Sequence, residues 1–184
     1  MYPQFSKATT GSSLQVAEER LQRYDDITVE TIRDFHDNTS YTSLLKSYIE
    51  QHISDGDILL FSAHSLPQKF VDEGDPYVDQ VKRTVALAAR GREYKLAFQS
   101  RTGPVQWVGP DTIEVVKELL DTTGKDIFIV PISFVCDHIE TLFEIDLDLP
   151  ERVGSRKRIK RMPMFNDDHR FTQVLAELVR GKLD

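Results

Sequence analysis

Asp57-Ile58-Leu59-Leu60-Phe61-Ser62 is a short run of apolar residues between polar ones. A run of this length without alternation is typical of a β-strand buried on both faces of a parallel sheet, because a strand with one face in water alternates polar and apolar residues. His64 follows the run, so we expect its side chain near the carboxyl end of the strand. The run therefore predicts an α/β fold built on a parallel sheet.

Segments on both sides of this strand alternate between strand-like and helix-like patterns. Apolar runs predict strands at residues 94–99 and 127–132, and the extended segment at residues 27–35 is interpreted as another strand. Apolar residues at helical spacing predict helices at residues 13–24, 44–53, 76–89, 112–120, 137–146 and 168–182. Strands that alternate with helices imply right-handed crossovers. The predicted fold is therefore an open, mostly parallel, doubly wound α/β sheet with helices on both faces, a Rossmann-like arrangement.

Three of the predicted strands end in loops rich in polar residues. These loops are Ser62-Ala63-His64-Ser65, Gln99-Ser100-Arg101-Thr102 and residues 133–140. The carboxyl ends of parallel strands lie at the same edge of a sheet, and doubly wound folds bind their ligands there. We therefore expect the three loops to share one rim and to form the functional site.

Length, charge and cysteine content narrow the class of protein. The chain has 184 residues, 40% of them hydrophobic, and fits one globular domain. A formal charge of -7 argues against binding to nucleic acid and allows at most peripheral contact with a membrane. No apolar run approaches the roughly 20 residues of a membrane helix, and the first residues lack a signal-peptide core. Cys136 has no partner in the chain for a disulfide or a zinc site, so we expect a reducing compartment, the cytoplasm by default.

Residues 152–161 contain six basic side chains, which is the one strong shift in composition. The stretch is short and is interrupted by Gly154, Ser155 and Ile159. We therefore interpret it as a solvated loop rather than as a patch that binds phosphate or lipid headgroups.

The predicted helix at residues 137–146 is unusually acidic for a segment that follows a buried strand. Helical spacing places Asp137, Glu140 and Glu144 on one face, where like charges destabilise a helix by roughly 0.2–0.5 kcal/mol per pair. A bound divalent cation relieves this repulsion. The alternative is that acidic residues near a helix N-terminus complement the helix dipole, which suits Asp137 better than Glu144.

His64 and Trp107 are two further candidate site residues. A histidine after a strand is often a hydrogen-bonded structural residue, but histidine nitrogen with carboxylate oxygen also suits divalent metals such as ferrous iron. Trp107 is the only tryptophan and lies in a loop framed by glycine and proline, at residues 103–110. It is either a core residue or a flat wall for a planar aromatic ligand.

Read together, these segments resemble the ferrochelatase family over nearly the whole chain. The matching motifs are Tyr2-Pro3-Gln4-Phe5-Ser6 with Thr9-Thr10-Gly11-Ser12; Phe61-Ser62-Ala63-His64-Ser65-Leu66-Pro67; Gly74-Asp75-Pro76-Tyr77; Phe98-Gln99-Ser100 with Gly103-Pro104 and Trp107; Asp137-His138-Ile139-Glu140-Thr141-Leu142 with Glu144-Ile145-Asp146; and Asn166, Phe171 and Leu175-Ala176-Glu177-Leu178-Val179. Their order along the chain is more specific than any one of them.

The resemblance implies a function and a set of site residues. The implied function is insertion of ferrous iron into a porphyrin, protoporphyrin IX or coproporphyrin, in haem biosynthesis. His64 and Glu140 are the implied catalytic pair, with His64 as base or metal ligand. The residues implied to handle the metal are His64, Glu140, Glu144 and His138, and those implied to contact the porphyrin are Gln99, Ser100 and Trp107.

The resemblance also implies what accompanies this chain. The motifs are those of the second, carboxyl-terminal lobe of the family, so residues 1–184 are expected to be that lobe, with the first lobe absent. Porphyrin binding is shared between the lobes, so we expect little activity from this chain alone. Ferrous iron is a substrate, and no resident cofactor is expected. Lys7 stands where certain members have cysteine, and Cys136 cannot hold a [2Fe–2S] cluster alone, so none is expected.

Two other functions compete with this one. A related chelatase that inserts cobalt or nickel into a more polar tetrapyrrole would share the sheet and His64. The Trp107 loop and Glu140-Thr141-Leu142 favour iron. A non-catalytic haem-binding or metal-binding module is the other alternative, because half of a two-lobed enzyme lacks one wall of its cleft. The sequence does not indicate an oligomeric state.

Overall fold

The computed structural model describes residues 2–183, and within them a four-stranded parallel β-sheet carries the fold. The strands are β1 (Ile58–His64), β2 (Tyr94–Gln99), β3 (Ile127–Pro131) and β4 (Ile159–Arg161), in the order β2-β1-β3-β4. All three pairings are parallel. The apolar run that predicted the fold is the central strand β1, whose inner residues are all buried.

Helices pack on both faces of this sheet. They are α1 (Ser12–Leu21), α2 (Thr39–His52), α3 (Gln68–Asp72), α4 (Tyr77–Ala89), α5 (Thr112–Thr122), α6 (Leu149–Val153) and α7 (His169–Leu183), with π-helical segments at Lys7–Gly11 and Glu140–Asp148. Helices α2, α4 and α7 share a core with Phe61 on one face, and α5 and α6 share a core with Leu60 on the other. The predicted doubly wound α/β fold is confirmed. Within residues 2–183, no helix has the length and apolarity needed to span a membrane.

The predicted strand at residues 27–35 is wrong. In the described part of the chain this segment pairs with no strand, and Ile27 and Val29 are exposed. It is anchored instead at its end, where the buried Phe35 ring lies edge-on to Tyr41 with 5.1 Å between centroids. Strand-like residues form a strand only where a sheet offers an edge, and this segment lies over the helical layer.

The interpretation of residues 152–161 as a solvated loop holds only for residues 154–158, where Arg156 and Lys157 are exposed. The last three residues of the stretch form the edge strand β4, which pairs with β3. The Arg158 guanidinium donates to three carbonyl oxygens at the carboxyl end of α5, those of Leu120, Thr123 and Lys125, at 3.0, 2.6 and 2.6 Å. The last carbonyls of a helix lack partners within the helix, so a cation that reaches them is a structural group.

We expect the 184-residue chain to fold cooperatively by itself and Phe61→Ala to destabilise it strongly. Phe61 is 0% exposed in the centre of β1, and truncating such a residue leaves a cavity that costs about 3–5 kcal/mol. The matched control is Phe143→Ala, because Phe143 is 53% exposed. Equilibrium unfolding in urea, followed by circular dichroism, measures both. A loss below about 1 kcal/mol for Phe61→Ala, or a non-cooperative transition in the parent chain, contradicts the prediction.

Candidate active site

His64 is the last residue of β1, and its backbone and ring are both fixed by hydrogen bonds. The Tyr77 hydroxyl donates to the His64 carbonyl at 2.9 Å, and the His64 N–H donates to Ser133 Oγ at 3.2 Å. Nδ1 of the ring lies 2.6 Å from the carbonyl oxygen of Ser65. A carbonyl oxygen only accepts, so Nδ1 carries the proton. In the neutral ring, Nε2 is therefore left with a lone pair that can accept a proton or bind a metal.

Tyr77 and Ser133 form a closed ring of hydrogen bonds beneath His64. Tyr77 donates to His64, Ser133 donates to the Tyr77 oxygen at 2.5 Å, and the His64 N–H completes the ring on Ser133. Burial raises the pKa of the Tyr77 hydroxyl well above its ordinary value, so the phenol stays protonated. The sequence placed Tyr77 in a family motif but did not reveal its contact with His64. The ring of hydrogen bonds joins the end of β1, the loop after β3 and the start of α4.

Glu140 faces the free nitrogen of His64. Glu140 Oε2 lies 3.5 Å from His64 Nε2, and both side chains are partly exposed. A lone pair opposite a carboxylate is unfavourable unless a proton or a cation lies between them. Two ligand atoms about 2.1 Å from one metal ion at a tetrahedral angle lie roughly 3.4 Å apart. The observed separation therefore suits a shared metal ion, and a shared proton requires the two atoms to approach each other by about 0.5 Å.

Residues at the end of β2 connect Glu140 to Glu144. Ser100 Oγ lies 2.5 Å from Glu144 Oε2 and 3.4 Å from Glu140 Oε2. Gln99 Nε2 donates to the Glu140 carbonyl at 3.2 Å and to Glu144 Oε2 at 3.4 Å. Gln99 is itself held by the Ser62 hydroxyl, which donates to its Oε1 at 2.7 Å. These donors stabilise two negative charges that would otherwise repel each other.

The segment that carries both glutamates is π-helical rather than α-helical, over Glu140–Asp148. Its hydrogen bonds run from i to i+5, a geometry that is rare over more than one turn and that is frequent at functional sites. Glu140 and Glu144 point towards β2, while Ile139 and Phe143 are exposed, at 73% and 53%. The predicted helix over residues 137–146 is therefore shifted along the chain and has a different helical geometry.

Asp137 does not share the face of the two glutamates, so that prediction is wrong. Its carboxylate instead pairs with Arg161 Nη1 at 2.9 Å and accepts from Asn166 Nδ2 at 2.8 Å. It precedes the π-helical segment and is directed towards β4. The sequence spacing assumed 3.6 residues per turn starting at Asp137, and the first turn of this segment does not follow that geometry.

His138 and Trp107 lie outside the hydrogen-bonded cluster. The His138 ring packs on Phe134, with centroids 4.3 Å apart, and within residues 2–183 neither of its ring nitrogens has a hydrogen-bond partner. Trp107 is half-buried and its backbone bridges to Pro67, which follows His64 closely. Its indole N–H is also unpartnered in the described residues. That His138 extends the metal path and that Gln99, Ser100 and Trp107 contact a porphyrin stay predictions.

The His64–Glu140 pair is partly exposed to solvent. No group of three or more His, Cys, Asp or Glu side chains is arranged to hold a metal within residues 2–183. A cleft of about 400 Å³ borders the cluster, lined among others by Ser100, Glu144, Phe143 and Asp148. A larger apolar groove of about 720 Å³ lies against α7 and contains none of the predicted site residues. The predicted site residues therefore lie at the rim of the sheet and not in the apolar groove against α7.

Comparison with known proteins gives consistent matches. The sequence model of the family described as Ferrochelatase matches residues 1–183. The ferrochelatase of Geobacter metallireducens is 43% identical over 192 residues, which cover 98% of this chain and 60% of the relative. The ferrochelatase of Aquifex aeolicus is 36% identical over 193 residues, which cover 100% of this chain and 62% of the relative. The chain thus spans about 60% of the length of these relatives.

A solved structure shares the fold. It is SirB from Bacillus subtilis with Fe3+, which superposes with a TM-score of 0.70 over 99% of this chain and 69% of that one. Sequence identity between the two is 13%. At that identity the likeness concerns the fold alone.

Proposed function

This chain belongs to the ferrochelatase family, and from that premise we propose that it takes part in the insertion of ferrous iron into a porphyrin in haem biosynthesis. The observation that carries the proposal is the 3.5 Å approach of His64 Nε2 to Glu140 Oε2 at the carboxyl rim of the sheet. The pair combines a nitrogen and an oxygen ligand, a set suited to first-row divalent metals.

Metal insertion exchanges one divalent ion for two protons. The two pyrrole N–H groups lose their protons, the iron loses water, and four nitrogens bind the iron. In our proposal His64 Nε2 accepts a pyrrole proton or holds the arriving iron. The Nδ1–H bond to the Ser65 carbonyl stabilises the imidazolium that protonation produces. This gives the contact between Nδ1 of His64 and the Ser65 carbonyl a role in the reaction.

Glu140 and Glu144 are the proposed path by which protons leave or iron arrives. The Ser100 hydroxyl touches both carboxylates, so a proton on either oxygen has a hydrogen-bonded neighbour. The open coordination of the pair also suits transit, because an ion with few protein ligands can be passed on to the macrocycle. His138, with two unpartnered ring nitrogens, is proposed as a further member of this path.

The porphyrin is proposed to lie over this rim, in contact with Gln99, Ser100 and Trp107. A macrocycle must be bent to expose its nitrogen lone pairs, at a cost of about 1–5 kcal/mol, and bending needs surfaces on both sides. We propose that the second surface is the first lobe of the family and that residues 1–184 are the second lobe. The length of the relatives, of which this chain spans about 60%, supports this.

The remaining proposals concern cofactors and location. We propose that iron is the substrate and that the protein holds no [2Fe–2S] cluster, because Cys136 is the single cysteine in the sequence. The same cysteine, exposed and free, supports a reducing compartment such as the cytoplasm. Porphyrin, iron and the first lobe are the proposed partners. The negative net charge supports neither nucleic acid nor more than peripheral contact with a membrane.

A non-catalytic haem-binding or metal-binding module is a second candidate, because the site by itself offers few ligands in the described residues. Anaerobic incubation of the protein, joined to the first lobe, with porphyrin and Fe²⁺, Co²⁺ or Ni²⁺ separates the candidates. We expect insertion, followed by the absorbance of the metalloporphyrin, and the fastest rate with iron. Tight haem binding without insertion would favour the module. Faster insertion of cobalt or nickel would favour the related chelatase.

A further inference from the structure

Arg161 is the most buried cation near the candidate site, with 12% of its side chain exposed. It lies on β4, where its backbone pairs with Ile129 of the neighbouring strand. Its guanidinium donates through Nε and Nη2 to the two carboxylate oxygens of Asp146, at 2.8 and 2.9 Å. Nη1 contacts Asp137 Oδ1 at 2.9 Å. One side chain on the sheet thus binds two carboxylates of the acidic segment.

The two carboxylates lie on either side of the glutamates of the site. Asp137 precedes Glu140 in the chain, and Asp146 follows Glu144. Asn166 also holds the start of the acidic segment. Its Oδ1 accepts the Asp137 N–H and its Nδ2 donates to the Asp137 carboxylate, both at 2.8 Å. The ends of the segment are therefore fixed to the sheet, and the glutamates project from the part between them.

The bridge spans the part of the chain that carries both glutamates. Asp137 lies before the first helical turn, and Asp146 lies within the π-helical stretch Glu140–Asp148. One guanidinium therefore ties the entry of the segment to its π-helical part, with Glu140 and Glu144 between the two tied residues.

We propose that Arg161 is a positioning residue: by bridging Asp137 and Asp146 it holds Glu140–Asp148 in the π-helical form and so fixes Glu140 against His64. These contacts support the role of Arg161 in the segment. Only its expected effect on metal binding rests on the proposed function. A π-helix of nine residues has poor intrinsic stability and needs ties from outside. Arginine suits this role because its planar fork binds one carboxylate through two nitrogens while a third remains free.

The test compares Arg161→Met with Lys160→Met in the 184-residue chain. Lys160 is a matched control, because it is the adjacent residue of β4 and also bridges two carboxylates, Asp57 at 3.3 Å and Asp126 at 3.1 Å, away from the site. Amide hydrogen exchange of residues 139–148, read by mass spectrometry, reports on the segment. We expect Arg161→Met to speed exchange there about tenfold or more, and Lys160→Met to leave it within about twofold of the parent.

Cobalt binding supplies the second readout, with Co²⁺ absorbance as the probe. We expect Arg161→Met to weaken Co²⁺ binding about tenfold or more while Lys160→Met binds as the parent does. Compared with Arg161→Met, Arg161→Lys should recover more of the stability than of the Co²⁺ affinity. An ammonium group keeps the charge but cannot bind a carboxylate through two nitrogens. If Arg161→Met does not fold, Asp146→Asn is used, with the same expected directions.

Three results overturn the proposal. They are unchanged exchange in Arg161→Met, equal acceleration in Lys160→Met, and faster exchange with unchanged Co²⁺ binding, since a positioning residue must affect the site. Failure of the proposed function is distinguishable. If the parent chain binds no Co²⁺, the metal role of His64 and Glu140 fails, while the exchange comparison still decides whether Arg161 holds the segment.

Discussion

Replacing His64 by alanine, in this chain joined to the first lobe, is expected to lower the rate of iron insertion at least about 100-fold, the usual contribution of a positioned acid or base. The variant removes the Nε2 atom that faces Glu140, and with it the proposed proton acceptor or nitrogen ligand. Glu140→Gln is expected to act in the same direction, because an amide neither accepts the proton nor carries the charge that holds a cation. Steady-state assays under anaerobic conditions measure both variants.

Matched controls separate this effect from general damage. His52 Nδ1 also bonds a backbone carbonyl, that of Tyr48 at 2.8 Å, so His52→Ala removes a histidine with a similar bond away from the site. Glu177 accepts a serine hydroxyl from Ser40 at 2.6 Å, so Glu177→Gln matches Glu140→Gln. We expect both controls to keep the parent rate. Unchanged turnover in His64→Ala or Glu140→Gln removes that residue from the site, and a changed metal preference supports a ligand role over a base role.

The 184 residues alone are expected to show little or no iron insertion, and the first lobe supplied in the same polypeptide is expected to restore it. A cleft with one wall leaves the macrocycle partly in water, where it relaxes to planarity and iron keeps its hydration shell. The part of the Geobacter metallireducens relative that this chain does not match serves as the proposed first lobe in this experiment. Porphyrin fluorescence, which metal insertion changes, follows the reaction in both proteins.

Iron insertion by the isolated chain at a rate near that of the joined protein would refute the prediction that both sides of the cleft are needed. Pairing of two copies across the rim would then be the first explanation to test, by sedimentation at the assay concentration. The matched control is the His64→Ala form of the isolated chain, because any residual rate that survives this change is not produced by the proposed site.

Local physical chemistry made several elements predictable from the sequence. The unbroken apolar run of β1 can be satisfied only by burial on both faces, and it forms the central strand. Asn38 is of a residue type favoured as a helix N-cap, and its side chain accepts the Tyr41 N–H at 3.0 Å at the start of α2. His64 and Gln99 were expected at one rim because they end adjacent strands, and their backbones are register partners.

Other elements depend on partners that no local pattern reveals. Residues 27–35 have strand-like side chains and remain unpaired in the described part of the chain, whereas the short basic β4 is a strand because β3 offers an edge beside it. Arg158 and Arg161 resemble surface charges in the sequence. Their environment is set by carbonyl and carboxylate oxygens from distant segments, which accept hydrogen bonds from the two guanidinium groups.

The chemical groups that stand at strand ends can be read from the sequence, because burial patterns and spacing are local properties of the chain. It also carried the motifs that identify the family. Which groups meet depends on tertiary contacts: His64 lies by Glu140, Ser100 contacts both glutamates, and Asp137 pairs with Arg161 instead of sharing the face of the glutamates. The π-helical form of the acidic segment was likewise not predictable from the sequence, since the spacing of apolar residues barely distinguishes a π-helix from an α-helix. Its geometry depends on contacts with β2 and β4, which exist only once the sheet has formed.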